Sequence, residues 1–125
     1  MEFQAGQAWA YAAPPEIADS RIVIGAIVEF GGGRIIACCA VTSALQSGAD
    51  GASERTTIPF LPMSHEALAQ TATRLDGTAE LPDDFAAELE RWRTDPRGAS
   101  YFTVPFEGSL ERMIALQMAA LVEKT

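Results

Sequence analysis

One stretch decides the fold: Arg21-Ile-Val-Ile-Gly-Ala-Ile-Val-Glu-Phe30, then Gly31-Gly-Gly33, then Arg34-Ile-Ile-Ala-Cys-Cys-Ala-Val-Thr-Ser-Ala-Leu45. Two apolar, β-branched runs joined by a short glycine loop predict a β-hairpin. Glycine adopts the positive φ angles that such a loop needs, because it has no Cβ to clash. With the glycines as the loop, Phe30 is expected opposite Arg34, and Val28 opposite Ile36.

Both faces of this hairpin are apolar. Strict alternation along the first strand places Ile22, Ile24, Ala26 and Val28 on one face, with Val23 and Ile27 on the other. A strand that is apolar on both sides is normally covered on both sides, so we expect the hairpin in the middle of the core.

The length and composition predict a single domain over residues 1–125. Hydrophobic residues make up 48% of the chain and charged residues 21%, as in ordinary globular proteins. No apolar run approaches the roughly 20 residues of a membrane span. The start of the chain lacks a basic segment followed by an apolar one, so no signal peptide is predicted and a cytoplasmic location is expected.

The charge of the chain is acidic, with a net value of −8 from 17 acids and 9 bases. An acidic surface repels phosphate backbones and anionic lipids alike. Nucleic acid is therefore an unfavourable partner, and no membrane contact is expected.

The remaining elements are predicted from periodicity and capping signals. Strands are expected over 3–11 and 55–60, helices from His65 to Asp76-Gly77 and from Phe85 to Trp92, a strand over 101–106, and a helix from Ser109 to about Glu123, with a loop over 46–54. Strands early and helices late indicate an α+β protein. We predict an antiparallel, SH3-like or barrel-like bent sheet of about five strands, with about three helices, mostly in the C-terminal half.

The last helix carries an unusually wide apolar arc. Its members are Leu110, Met113, Ile114, Leu116, Met118, Leu121 and Val122. Such a helix is either deeply packed or shared with a second subunit, so a homodimer is one of the two expectations.

Few residues suggest a catalytic or metal-binding role. Cys38 and Cys39 are adjacent in a strand, so they point to opposite faces and are expected to be buried, reduced core residues. His65 is the single histidine, which leaves no histidine pair for a metal. At the first position of a helix it is a candidate surface binding residue. No cofactor and no metal are predicted.

Trp9 and Tyr11 share one face of the first strand. Aromatic residues at this spacing are typical of core packing. The alternative is that they are exposed and contact a partner. Because the sequence shows no catalytic constellation, the leading functional hypothesis is a non-enzymatic module that binds a protein partner or itself. A third hypothesis is that the protein binds a small ligand inside the mouth of the barrel.

The pattern Gly6-Gln-x-Trp9-x-Tyr11, followed by Ser20-Arg21-x-x-Ile24, resembles small bacterial proteins of no assigned function. The segment from Pro62 to Leu68, and Leu81-Pro82 before the helix that carries Trp92, extend this likeness over nearly the whole chain. It implies a shared fold and no particular activity.

The first half also resembles toxin endoribonucleases of the MazF/PemK type, which are small SH3-like barrels. The matching positions are Gly6-Gln-Ala-Trp9, Arg21 and Thr42-Ser43. The likeness implies that Arg21 acts as acid and phosphate clamp and that Thr42 holds the scissile phosphate. Ile22 and Gln7 depart from the proline and the acid of that pattern, so the likeness supports the barrel more than the chemistry.

Overall fold

A computed structural model describes residues 2–97 and 99–123. They form an antiparallel sheet of five strands, β1–β5, and three helices, α1–α3. The strands are Gln7–Tyr11, Ile22–Phe30, Arg34–Ser47, Ser53–Ser64 and Ala72–Thr78, and the helices are His65–Thr71, Phe85–Arg93 and Leu110–Glu123. The predicted α+β class, with its helices mostly in the C-terminal half, is confirmed.

The strand order is β4-β3-β2-β1-β5, so the predicted hairpin, β2 with β3, lies inside the sheet. Its register is the predicted one, with Phe30 opposite Arg34 and Val28 opposite Ile36. The sheet is open, and α1 carries the chain from β4 at one edge to β5 at the other.

The prediction of a single alternating face on β2 is wrong. The register shifts between Ile24 and Ala26, which are paired with Cys39 and Cys38. A bulge inserts one unpaired residue and thereby reverses which face the following side chains point to. The extra residue is Gly25, where an added Cβ would overlap the ring of Phe85. Glycine therefore serves both the bulge and the close approach of α2.

One face of the sheet encloses the larger core, which we call the inner cluster. Its buried members come from all five strands and from α1 and α3; they include Trp9, Tyr11, Ile22, Ile24, Cys39, Val41, Ile58, Leu61, Met63, Leu68, Ala72 and Met113. Because both edge strands contribute to one cluster, the sheet bends around it. This is the predicted barrel-like curvature.

The opposite face of the sheet carries the outer cluster, formed by Ile36, Cys38, Ala40 and Phe85. Leu89 and Trp92, which follow Phe85 at helical spacing, pack against it. Helix α2 therefore covers the outer face of the sheet.

The helix predicted up to Asp76 is too long. Helix α1 ends at Thr71, and 72–78 is the edge strand β5, paired with β1. Leu68 and Ala72 are buried, while Leu75 is 48% exposed. The backbone of β1 needs a partner on its free side, and this requirement overrides the helical spacing of the leucines.

The strand predicted over 101–106 is also wrong. This segment forms one isolated bridge, in which Phe102 accepts from the Ser64 N–H at 2.8 Å and donates to the Pro62 carbonyl at 3.0 Å. The N–H of Thr103 donates to the side chain of Gln117 on α3 at 2.7 Å. The ladder does not continue beyond Phe102, because the Thr103 N–H is bound to Gln117 and Pro105 has no N–H to donate.

Strand β4 is longer than predicted and the loop is shorter. Pairing continues to Ser47 with Ser53, so only 48–52 lie outside the strands, instead of 46–54. Strand β4 is an edge strand, one of the two places, an edge or a strand end, where Pro59 is tolerated.

Candidate functional site

A groove lies between α2 and α3, beside the edge strand β4. Its volume is about 740 Å³. The apolar lining comes from Phe60, Trp92, Tyr101, Phe102, Ile114, Met118 and Leu121, and Glu88, Arg91, Asp95 and Gln117 supply most of the polar part. We call the aromatic members the aromatic wall and the three α3 members the aliphatic ridge.

The aromatic wall is held in place by its own contacts. The indole N–H of Trp92 donates to the Ser100 carbonyl at 2.6 Å. The Trp92 ring lies 5.6 Å from that of Phe30 and 5.7 Å from that of Phe60, between ring centroids. An aromatic side chain fixed in this way offers contact area with little loss of conformational freedom.

The aliphatic ridge consists of Ile114, Met118 and Leu121, which are 44%, 62% and 55% exposed. They lie at i, i+4 and i+7, on one side of the helix. The whole segment 114–122 carries no charged residue. Its one polar residue, Gln117, accepts from both the N–H and the hydroxyl of Thr103, at 2.7 and 3.1 Å.

Besides the hydrogen bonds between Thr103 and Gln117, α3 is anchored at its start. Met113 is the buried side chain within 110–122. The Ser109 hydroxyl accepts from the Arg112 N–H at 3.3 Å, so Ser109 caps the helix as predicted. The side chain of Glu111 accepts from the Ser47 N–H at 2.8 Å. Beyond the first turn, the helix presents its apolar arc to solvent.

The rim of the groove carries charges of both signs. Arg91 pairs with Glu88 at 3.1 Å, and Asp95 pairs with Arg97 at 3.1 Å. Hydrogen bonds from Arg97 lower the pKa of the Asp95 carboxyl below its usual value. The groove therefore joins an apolar centre to a rim that carries both acidic and basic side chains.

Trp9 and Tyr11 are only 5% and 7% exposed, so the alternative that they are exposed and contact a partner is wrong. Both rings lie in the inner cluster, so the core packing that is typical of their spacing is confirmed. The indole N–H of Trp9 donates to Gln7 at 3.0 Å, and the Tyr11 hydroxyl donates to Ser20 at 2.7 Å. Burial raises the pKa of Tyr11 above its usual value.

His65 is half-buried at the first position of α1. The ring of Phe3 lies edge-on to it at 5.4 Å and edge-on to Trp9 at 5.1 Å. Phe3 therefore separates the two predicted binding residues. His65 is not among the residues that line the groove, and its binding role stays a prediction.

Arg21 and Thr42, the pair implied by the endoribonuclease likeness, do lie together. The Arg21 N–H donates to the Thr42 hydroxyl at 2.9 Å, and the Thr42 N–H donates to the Arg21 carbonyl at 3.0 Å. The guanidinium is bound to Asp76 at 2.7 Å. Hydrogen bonds from Arg21 and Arg74 hold the pKa of the Asp76 carboxyl below its usual value. A phosphate at this site would compete with that carboxylate.

The two cysteines point to opposite faces as predicted, Cys39 into the inner cluster and Cys38 into the outer one. Both are free and buried. Burial raises the pKa of the Cys38 thiol to about 12, and that of Cys39 is also raised. Since the thiolate is the nucleophile, neither is activated for catalysis.

The sequence predicted the apolar residues of α3 that line the groove, but not the aromatic wall. The ridge residues belong to the wide apolar arc predicted for the last helix. The aromatic wall was missed, because Trp92 reads as part of the α2 core face and residues 101–106 read as a strand. An uncharged segment over 114–122 is the signal that could have pointed to an exposed contact surface.

Within residues 2–97 and 99–123, no group of three or more His, Cys, Asp or Glu side chains could hold a metal ion. None of their helices combines the length and apolarity needed to cross a membrane. In comparisons with known proteins, no family model, no curated protein and no solved structure matches this chain.

Proposed function

We propose that this protein is a non-enzymatic interaction module whose contact surface is the groove and the exposed face of α3. The partner is another protein or a second copy of the chain. One observation carries the proposal: the aliphatic ridge of Ile114, Met118 and Leu121 is solvent-exposed next to a fixed aromatic wall.

The composition of the surface supports this proposal. Exposed apolar patches rimmed by polar residues mark interaction sites in soluble proteins. Tryptophan, tyrosine and methionine are enriched at such interfaces, and all three line this groove. A helix that is apolar around most of its surface is normally covered.

The test is photo-crosslinking in extracts of the source cell, with Met118 replaced by p-benzoylphenylalanine. We expect a protein adduct of defined mass at Met118. The matched control carries the same residue at Ala52, which is exposed in the loop between β3 and β4. Equal labelling at both positions, or no adduct at Met118, would rule out the groove as a contact surface.

A second candidate function is ribonuclease activity, favoured by the hydrogen bonds that join Arg21 to Thr42. It predicts that the protein cleaves RNA and that Arg21→Ala abolishes cleavage. Arg93→Ala, which removes an exposed arginine from α2, is the control and should leave cleavage unchanged. RNA that stays intact with the wild-type protein eliminates this candidate.

A further inference from the structure

We infer that the occupant of this surface is a second copy of the chain, with the two α3 helices packed antiparallel about a two-fold axis near Met118. The inference rests on the proposed function, since it specifies the partner of the same surface. It follows from the charge, the shape and the rim of that surface.

Charge restricts where two copies can meet. Each copy has a net charge of −8, so most approaches bring like charges together. Segment 114–122 is uncharged and avoids this repulsion. Of the other large apolar side chains that the described residues expose, Leu75 stands between Arg74 and Asp76, and Ile27 and Ile35 are the least exposed, at 40% and 39%. The α3 face is therefore the most favourable surface for self-association.

The shape of the α3 face suits a helix pair. At about 100° per residue, Ile114, Ala115, Met118, Leu121 and Val122 fall within an arc of about 120° centred on Met118. In an antiparallel pair centred there, Ile114 of one copy comes level with Leu121 of the other on the groove side. Ala115, on the opposite side of the arc, has a small side chain and allows the helices to approach closely.

The rim also fits a symmetric partner. A two-fold contact places the same surface on both sides, so the surface must complement itself. The rim of the groove bears both Glu88 and Arg91, and Arg112 lies 3.6 Å from Glu107 near the start of α3. Mixed signs of this kind can pair across a two-fold axis, which a rim of one sign could not.

The first test is the molar mass of the full chain by light scattering over a dilution series. We expect twice the mass of one 13.3 kDa chain at high concentration. Met118→Glu should raise the dimer dissociation constant by roughly 100-fold or more, because both copies lose a buried apolar side chain. Leu75→Glu, at a 48% exposed position on β5, should leave the dissociation constant unchanged. Circular dichroism verifies that each variant is folded.

The second test locates the axis. Met118→Cys, treated with diamide, should form an intermolecular disulfide rapidly, since the two positions meet at the axis. Cys38 and Cys39 are fully buried and do not compete. Leu75→Cys is the matched control and should remain a monomeric chain on a non-reducing gel.

The outcomes separate this inference from the proposed function. A wild-type protein that stays monomeric throughout the dilution series overturns the second copy, while the Met118 photo-adduct still decides whether another protein binds. A dimer that is unchanged in Met118→Glu overturns the placement on α3. Loss of the dimer in Met118→Glu alone, with the Met118→Cys disulfide, supports the inference.

Discussion

Helix α1 is half as long as α3, yet it buries more side chains. Helix α1 covers only 65–71, yet it buries Ala67, Leu68 and Thr71. Helix α3 covers 110–123 and, within 110–122, buries Met113 alone. The short helix lies between the two edge strands and fills the inner cluster, whereas the long one touches that cluster only through its first turn. Position relative to the sheet, and not length or apolar content, decides which helix stabilises the fold.

The polar contacts show the same difference. At the end of α1, the Thr71 hydroxyl donates to the Ala67 carbonyl at 2.7 Å and accepts from the Phe106 N–H at 3.0 Å. Both bonds are buried, so losing either would leave a polar group unsatisfied. On α3, the contact of Gln117 with Thr103 is exposed, and water can replace it.

The largest expected difference between α1 and α3 is in the stability lost when one leucine of each helix is replaced by alanine. Leu68→Ala should lower the free energy of unfolding by about 2–5 kcal/mol, because Leu68 is fully buried. Leu121→Ala should lower it by less than about 0.5 kcal/mol in the monomer, since Leu121 is 55% exposed.

Urea denaturation at a concentration where the chain is monomeric measures both values. Comparable losses in the two variants would mean that α3 packs onto the body of the protein and would contradict the comparison. At higher concentration, the Leu121→Ala variant should fall further behind the wild type if the dimer forms.

A smaller effect is expected at the two helix caps. The Ser64 hydroxyl accepts from the Ala67 N–H at 3.1 Å and is buried. Ser64→Ala should therefore cost about 1–2 kcal/mol of unfolding free energy, and Ser109→Ala about 0.5 kcal/mol. Thermal and urea unfolding of both variants test the order; a greater loss for Ser109→Ala would break it.

The smallest effect concerns the strand that follows α1. The pKa of Asp76 is lowered in the folded protein, so its pairing stabilises the fold above the usual value of about 3.9 and is lost as the pH falls through the folded pKa. Asp76→Asn should reduce stability slightly at pH 7 and not at all at the acid end. The control is Asp83→Asn, an equal charge change at another exposed site. A difference that persists unchanged in acid would exclude the ion pair as its cause.

Local signals in the sequence predicted much of the fold. Glycines 31–33 fixed the hairpin register, and Ser64 and Ser109 marked both helix starts correctly. These features depend on residues close together in the chain. The bulge at Gly25 and the strand β5 depend on contacts with Phe85 and with β1, which are distant in sequence and carry no local signal.

The candidate site divides in the same way. The apolar arc of α3 follows from spacing alone, and the sequence could predict that it is either packed or shared. Whether the sheet covers this arc depends on tertiary packing, which the spacing of the residues does not determine. The aromatic wall forms only because Trp92 and the segment around Tyr101 meet beside β4, so no local pattern could reveal it.

The pairing of β1 with β5 has a consequence for how the chain folds. The meander from β2 to β4 joins neighbouring segments, while β1 must find Ala72–Thr78 across the whole meander and α1. Closing so large a loop costs entropy before any contact compensates for it, and non-local pairing of this kind slows folding. We therefore expect the meander to form first and the β1–β5 ladder to form last. Until then, β1 can pair only with β2, and its other side is a free edge of the sheet.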